Sequence, residues 1–327
     1  KVDPMALVET YTKSYFDDMD ALNCLRPDIS PRATGHIPEQ IELVTTLLAK
    51  GYAYEGNGSV YFDVSKFPDY GKLSGRKVDE LESGARVEVN PDKKNPVDFA
   101  LWKKAEAGHI LRWNSPWGWG FPGWHLECSV MSMRYLGETI DIHGGGLENA
   151  FPHHDCEIAQ SEAANDKPFV KYWLHNNMVT VDGVKMGKSL GNFITLKDAF
   201  AKHHPLAIRY FVLTSHYRSP LDFSEEAVEA AAKGLERIHN AVAAVRAALE
   251  GAEELAGDDG RLLDEIEGFR KRFEEAMDED FNTPQAIGVL SELVRWTNTL
   301  LAEGGAGAAV LEKLSSTFDT LGGDVLG

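Results

Sequence analysis

The sequence predicts an α/β core with an inserted β-rich segment, continued by an all-α helical bundle. Residues 121 to 190 run helix, strand, glycine loop, helix and strand in succession, the order of a sheet whose strands are joined by crossovers. Residues 57 to 120 are rich in glycine, proline and charge and open on a strand alternation, as a mostly β insertion would. Beyond residue 222 apolar residues recur at three-and-four spacing, which is the helical period.

Taken in order, residues 1–56 read as helical. "ALVETYTKSYFDDMDAL" and "HIPEQIELVTTLLAKGYA" are amphipathic, punctuated by Pro27, Pro31 and Gly51. Within 57–120, "GSVYFDVSKF" alternates as a strand, and Trp102, Trp113, Trp117 and Trp119 suit a small aromatic core. Within 121–221, "GWHLECSVMSMRYLG" places Leu126, Val130 and Met133 on one helical face and closes on Gly137. "TIDIH" reads as a short buried strand ending in "GGG", "DCEIAQSEAA" as a helix, and "YWLHNNMVTVDGVKM" as strand. A polar loop at the carboxyl end of such a strand is where α/β proteins hold ligands. Within 222–327, Ser224 is an N-cap followed by Glu225 and Glu226. "GAEELAGDDG" then breaks the bundle, Thr283 caps a further helix with Pro284 at its first position, and "LAEGGAGAAV" divides the last pair.

Composition narrows the function. The 327 residues contain no run of eighteen apolar positions, and "KVDPMALVET" has no apolar signal core. Three cysteines, Cys24, Cys128 and Cys156, make no disulfide framework in a chain of this size, which fits a reducing cytosol. A net charge of −18 repels phosphate backbones, so nucleic-acid binding requires a local basic surface. Between Lys185 and Arg218 six cations face one anion, Asp198; an RNA-facing patch and a merely solvated face both fit that pattern.

The stretch "FPHHDCEIAQ" concentrates donor atoms. On a helix His153 and Glu157, four apart, project from one face and reach one ion, while His154 takes the neighbouring face. Zinc accepts nitrogen, oxygen and thiolate together, and Cys128 is the favoured third ligand. Cys156 competes, but its adjacency to Glu157 turns it about 100° away. Three ligands leave an open position for water or substrate, unless a fourth lies elsewhere. In "VDGVKMGKSLGNF", Lys185 and Lys188 sit three apart between a strand and a helix. Such ammonium groups suit charge developing on a phosphoryl or adenylyl group, or they form a solvated turn.

"GWHLECS", "DIHGGG", "FPHHDCEIAQS" and "KMGKSLGNF", in that order, closely resemble the cysteinyl-tRNA synthetases. The last resembles the lysine signature of class I aminoacyl-tRNA synthetases, and the likeness runs from about residue 18 to "DEDFNTP" at 278–284. The resemblance implies an incomplete Rossmann-type class I catalytic core. It implies that cysteine and ATP, with magnesium, form cysteinyl-adenylate, and that the cysteinyl group passes to tRNA(Cys). One zinc on Cys128, His153 and Glu157 would select the substrate thiolate, since a soft sulfur ligand rejects serine's hydroxyl where size alone would not. Trp124 would wall the cysteine pocket, His143, Gly144, Gly145 and Gly146 would admit substrate to the backbone, and Glu148 would hold its amino group. Lys188, assisted by Lys185, would contact ATP. The bundle would dock along the tRNA.

Gly187 stands where the family's signature has serine, which loosens the loop, and Glu148 stands where aspartate is usual. The expected protein is a cytoplasmic monomer and an internal piece of a longer ligase, without the His-Ile-Gly-His half or the anticodon-reading domain and inactive by itself. Two related readings are a cysteine-activating ligase of thiol biosynthesis with an amino-sugar acceptor, and a non-catalytic zinc-stabilised RNA-binding fragment.

Overall fold

The computed structural model describes residues 3–77, 90–252, 259–304 and 306–327. It divides into two compact units, Pro27–Asn176 and a second in which Lys1–Arg26 joins Asn177–Gly327. The second unit opens with α1 (Pro4–Ala21), where the Asp3 carboxylate accepts from the Met5 and Ala6 amides at 2.8 and 3.2 Å. Pro4 occupies the first turn, where no amide is needed. No residue of α1 is buried.

The first unit begins with α2 (Ile37–Ala49), whose Ile37, Leu43, Val44 and Leu47 are buried. Gly51, at φ +80°, stops the helical run, and the next residues turn to strand. Strands β1 (Ala53–Gly56), β2 (Ser59–Phe62), β3 (Phe99–Lys104), β4 (Trp113–Ser115) and β5 (Gly118–Pro122) form one antiparallel sheet in the order β1-β2-β3-β5-β4. Strand thus begins at Ala53, inside the stretch read as helical, because Gly51 breaks the pattern before "AYEG" pairs with "SVYF".

The tryptophans do not form a core of their own. Trp102 is fully buried, Trp113 and Trp117 are partly buried against the same hydrophobic cluster, and Trp119 is 55% exposed. The pleat explains the split: Trp113 is paired with Gly120 and Trp119 with Asn114, so successive side chains leave on opposite faces. The buried cluster around Phe62, Phe99 and Trp102 also contains Val44 and Leu47 of α2, Leu126, Cys156 and Ala159. Part of the expected insertion, residues 78–89, lies outside the described residues.

Helix α3 (Trp124–Leu136) ends at Gly137, whose φ of +92° suits glycine. Then β6 (Ile140–Gly146), α4 (Asp155–Asn165) and β7 (Val170–Asn176) make a crossover unit in which β6 and β7 are parallel. The glycines are part of β6 rather than a loop after it, Gly144, Gly145 and Gly146 pairing with Leu174, His175 and Asn176. β6 is also less buried than expected. Ile140 is covered but Ile142 is 55% exposed, because among the described residues this sheet has two strands.

In the second unit β8 (Val179–Val181) and β9 (Val184–Lys185) form a hairpin through Asp182 and Gly183, both at positive φ as a two-residue turn demands. Helices α5 (Leu196–Phe200) and α6 (Pro205–Leu213) follow, and β10 (Leu221–Phe223) returns parallel to β8. The bundle consists of α7 (Glu225–Leu249), α8 (Asp259–Asp278), α9 (Thr283–Glu303) and α10 (Ala308–Phe318) around Val245, Ile266, Phe273, Leu290, Leu293, Leu311 and Leu314. Asn282, not Thr283, caps α9: its Oδ1 accepts from the Gln285 amide at 3.2 Å, which moves Pro284 to the second helical position. Parts of both expected breaks, residues 253–258 and 305, lie outside the described residues.

Ser224 caps α7, its Oγ accepting from the Ala227 amide at 3.2 Å. Ser224→Ala is expected to cost about 1 kcal/mol and to lower the urea midpoint of the helical circular-dichroism signal. An unchanged midpoint would contradict the cap.

Candidate metal centre

The start of α3 is pressed against the inserted sheet. A Cβ on Gly123, its N-cap, would lie 2.0 Å from the Ala100 carbonyl oxygen, so only glycine fits there without backbone movement. This fixes the first turn of α3, which carries Trp124, His125 and, one turn later, Cys128. A turn over Ala150–His154 leads into α4, so His153 and Glu157 lie four apart at its beginning.

Between the two helices runs a buried polar seam. Gln160 Nε2 donates to the His125 carbonyl at 2.5 Å and to Ser129 Oγ at 2.6 Å, and Ser161 Oγ donates to Ser129 Oγ at 2.8 Å. These bonds lock the register of α3 on α4. One donor atom from each of Cys128, His153 and Glu157 consequently lies within 4.8 Å of the others. His143, His154 and Glu157 form a second such group, with Glu157 common to both.

Glu157 is fully buried. Its carboxylate oxygens lie 2.7 Å from His153 Nε2 and 3.2 Å from His143 Nε2, yet neither receives a hydrogen bond of good geometry. A carboxylate so enclosed is costly unless paired. Burial favours the neutral forms of Cys128, His125, His143 and His154 around it. Burial pushes the Cys128 thiol up to about 12, with the Glu157 charge adding to the shift. Burial lowers His154 to about 3, with help from His143, His175 and His153, and lowers His125 to about 4. Burial depresses His143 as well. Neutral imidazoles keep a lone pair free, the form in which histidine ligates a metal. A thiol, an imidazole and an unsatisfied carboxylate converging in a buried place form a donor set that suits zinc.

Cys156 is placed elsewhere. It is 1% exposed in the hydrophobic cluster, with its Sγ 3.4 Å from the Tyr70 hydroxyl. Its side of α4, turned about 100° from Glu157, faces the hydrophobic cluster.

Trp124 is 58% exposed and stacks on the His153 ring at 4.1 Å between centroids. His143, on β6, lies 4.7 Å from the Trp173 ring and 5.0 Å from that of His154. Gly145 is needed by its neighbour: a Cβ there would meet His154 Cε1 at 2.7 Å, whereas one on Gly144 would have 3.7 Å to the Leu174 carbonyl. The Glu148 carboxylate lies over Gly146, 3.0 Å from where a Cβ would be.

Sequence reasoning missed His125, Trp173 and His175 and left His154 without a role. His125 Nδ1 is 2.7 Å from His153 Nδ1, and His154 Nδ1 is 2.8 Å from His175 Nε2. For His125 the three-residue spacing to Cys128 was a usable signal. His175 had none, because its place follows from the pairing of β7 with Gly145.

Lys185 and Lys188 belong to the second unit. Lys185 ends β9, and Lys188 opens a short turn over Lys188–Leu190. Asn192 closes the loop, its Oδ1 accepting from the Gly187 amide at 3.0 Å and its Nδ2 donating to the Lys185 carbonyl at 3.1 Å. Lys188 Nζ lies 5.4 Å from the Phe193 ring centroid and is exposed. Gly187, at φ −163°, is extended and uses none of glycine's extra freedom.

The basic stretch from Lys185 to Arg218 is not a free cationic face. Lys197 pairs with Asp18 at 3.1 Å, Lys202 and His203 with Glu225 at 2.6 Å each, and Arg218 with Asp280. Arg209 donates to the carbonyls of Leu22, Asn23 and Leu326. The counter-charges come from distant positions in the chain, which a local count cannot register.

Gly145→Ala would force the His154 ring away from His175. The expected cost is about 1–3 kcal/mol, read as a lower melting temperature, and an unchanged melt would show that the approach is not tight.

Comparison with known proteins gives the family. The family described as tRNA synthetases class I (C) catalytic domain matches residues 2–233, and a DALR domain matches residues 272–327. A cysteine–tRNA ligase of Chlorobaculum tepidum is 56% identical over 328 aligned residues, covering 100% of this chain and 66% of its own length. One of Thermus thermophilus is 50% identical over 327, covering 100% and 67%. The match therefore reaches both ends of the chain, beyond the motif-bearing span, and the chain spans about two thirds of those relatives. Among solved structures, Mycobacterium tuberculosis methionyl-tRNA synthetase in complex with methionyl-adenylate aligns at 15% identity with a TM-score of 0.65, over 97% of this chain and 76% of that one; that likeness concerns the fold. With its catalytic-domain match and relatives at half identity or more along its whole length, the chain belongs to the cysteine–tRNA ligase family of class I (C) tRNA synthetases.

Proposed function

We propose that this chain supplies the amino-acid-selecting and phosphate-contacting parts of a cysteine–tRNA ligase. In the reaction the cysteine carboxylate attacks the α-phosphorus of ATP, pyrophosphate leaves, and the cysteinyl group passes to the terminal ribose of tRNA(Cys). The observation that carries the reading is the fully buried Glu157 carboxylate, unsatisfied and within ligand distance of Cys128 and His153. These three would hold zinc, which supplies a soft acceptor for the substrate thiolate that serine's hydroxyl does not match.

The remaining roles belong to side chains of the chain itself. Trp124, exposed and stacked on His153, walls the cysteine pocket. His143 stands between Glu157 and Trp173 at the base of the site, and Glu148, above Gly146, holds the substrate amino group. Lys188 and Lys185, on an exposed loop closed by Asn192, neutralise charge on the ATP phosphates as pyrophosphate departs. tRNA as acceptor is supported by the relatives' names and by the DALR match. The amino-sugar alternative has no observation in its favour. With Lys197, Lys202 and Arg218 paired internally, RNA contact rests on the bundle and the exposed lysine loop rather than on the whole basic stretch.

A cobalt-loaded protein titrated with cysteine should develop a thiolate-to-metal absorption band, and serine should give none. Cysteine without a band would remove the selecting role from the metal. Because the Cys128 thiol is protonated in the metal-free site, its pKa raised to about 12, metal uptake should release its proton. Affinity should then rise about tenfold per pH unit across the neutral range. Cys128→Ser should abolish uptake, and a pH-independent affinity would argue against a thiolate ligand.

In the full-length protein Lys188→Ala should slow cysteine-dependent pyrophosphate exchange by roughly 10²-fold while leaving the KM for cysteine unchanged. A raised KM for cysteine with normal chemistry would refute the phosphate assignment.

A further inference from the structure

We infer that Asp280, in the turn between α8 and α9, is a positioning residue for the lysine loop, acting through Tyr217 and Arg218; its catalytic meaning rests on the phosphate-contacting reading of that loop.

The turn is firmly seated. Phe273 and Ala276 before it and Ala286 after it are buried in the bundle, and the Asn282 amide donates to the Ala276 carbonyl at 3.1 Å. Asp280 and Phe281 are both left-handed, at φ +57° and +55°, a conformation uncommon outside glycine, asparagine and aspartate. Two such residues in succession set the course of the backbone through the turn. It meets the loop before β10 with both oxygens. Tyr217 Oη donates to Oδ1 at 2.7 Å, while Arg218 donates Nε to Oδ2 at 2.5 Å and Nη2 to Oδ1 at 3.2 Å. A two-pronged guanidinium contact with an added hydroxyl restrains orientation as well as distance.

From that loop the restraint continues by two routes. Asn177 donates its amide to the Tyr217 carbonyl at 2.8 Å and its Nδ2 to the Arg218 carbonyl at 2.9 Å, and Met178, next to it, accepts from the Leu221 amide at 3.1 Å. This pins the start of β8. The other route runs along β10, whose Asp222 Oδ1 accepts from Thr180 Oγ1 at 2.5 Å and from the Gly183 amide at the hairpin tip at 2.8 Å. The Met186 amide then donates to the Val179 carbonyl at 3.0 Å, and Asn192 holds the Lys185 carbonyl. Every step from Asp280 to Lys185 is a hydrogen bond or a covalent neighbour.

The hairpin needs such a restraint. Its sheet consists of strands of three, two and three residues, and Val179 and Val184 are 37% and 53% exposed. Leu221 and Phe223 of β10 pack against the cluster around Phe211, but no residue of β8 or β9 belongs to it, and strands this short do not hold a position by pairing alone. The tether therefore sets where Lys185 and Lys188 stand relative to the bundle.

The test is amide hydrogen exchange of residues 184–192, with cysteine-dependent adenylate formation measured on the full-length protein. Asp280→Gly keeps the left-handed backbone without strain and removes the carboxylate; Asp280→Asn keeps the backbone and one acceptor. Exchange at 184–192 is expected to rise roughly three- to tenfold in Asp280→Gly, less in Asp280→Asn, with the amides of α7 and α9 unchanged. Adenylate formation should slow by a similar factor at unchanged KM for cysteine. Unchanged exchange at 184–192, or a rise spread through the bundle, overturns the inference. Faster loop exchange with normal adenylate formation supports the tether and counts instead against the phosphate reading, for which Lys188→Ala is the independent control.

Discussion

The constraint on the first unit is Glu157, a carboxylate with no exposed surface that the surrounding packing must accommodate. Neither oxygen of Glu157 receives a hydrogen bond of good geometry, and two imidazoles and a thiol lie at short range. An anion in that position is tolerable when its surroundings are fixed to receive a cation. The surroundings are fixed by the seam of Ser129, Gln160 and Ser161, which binds the helix bearing Cys128 to the helix bearing Glu157 without using any donor atom of the site itself. Gly123, against the Ala100 carbonyl, and Gly145, against His154, let two backbones approach closely enough for the rings to stack. The site is thus a consequence of close helix and strand packing, and burial keeps its Cys128 thiol protonated.

The second unit solves an opposite problem. On the phosphate-contacting reading proposed above its lysines would meet a charged substrate, and they stand on an exposed hairpin of two very short strands. Position then has to come from polar contacts, and the chain supplies them in sequence from the bundle turn to the loop. The same economy appears in the basic stretch around it, where most cations are engaged by distant acids or carbonyls. Local positive charge in the sequence became internal scaffolding in the fold.

What could be read from residues depended on the range of the interaction. The helix from Trp124, its stop at Gly137 and the cap at Ser224 are settled within a few residues, and were legible. His153 and Glu157 share a face because four residues are about one helical turn, and the choice of Cys128 over Cys156 followed from angle alone. The glycine run misread as a loop, the exposure of Trp119 and the cap at Asn282 each turned on a neighbour that the local pattern does not name.

By itself, then, the sequence determined the order of elements, the three candidate ligands, the paired lysines and, through four ordered motifs, the family. Tertiary structure alone decided that His125, His154 and His175 join the cluster, that Glu157 is left unsatisfied, and that Arg218 meets Asp280 across 62 positions. The reason is physical: helical periodicity and capping act over one or two turns, whereas burial, sheet register and ion pairing are set by residues brought together only when the chain has closed on itself.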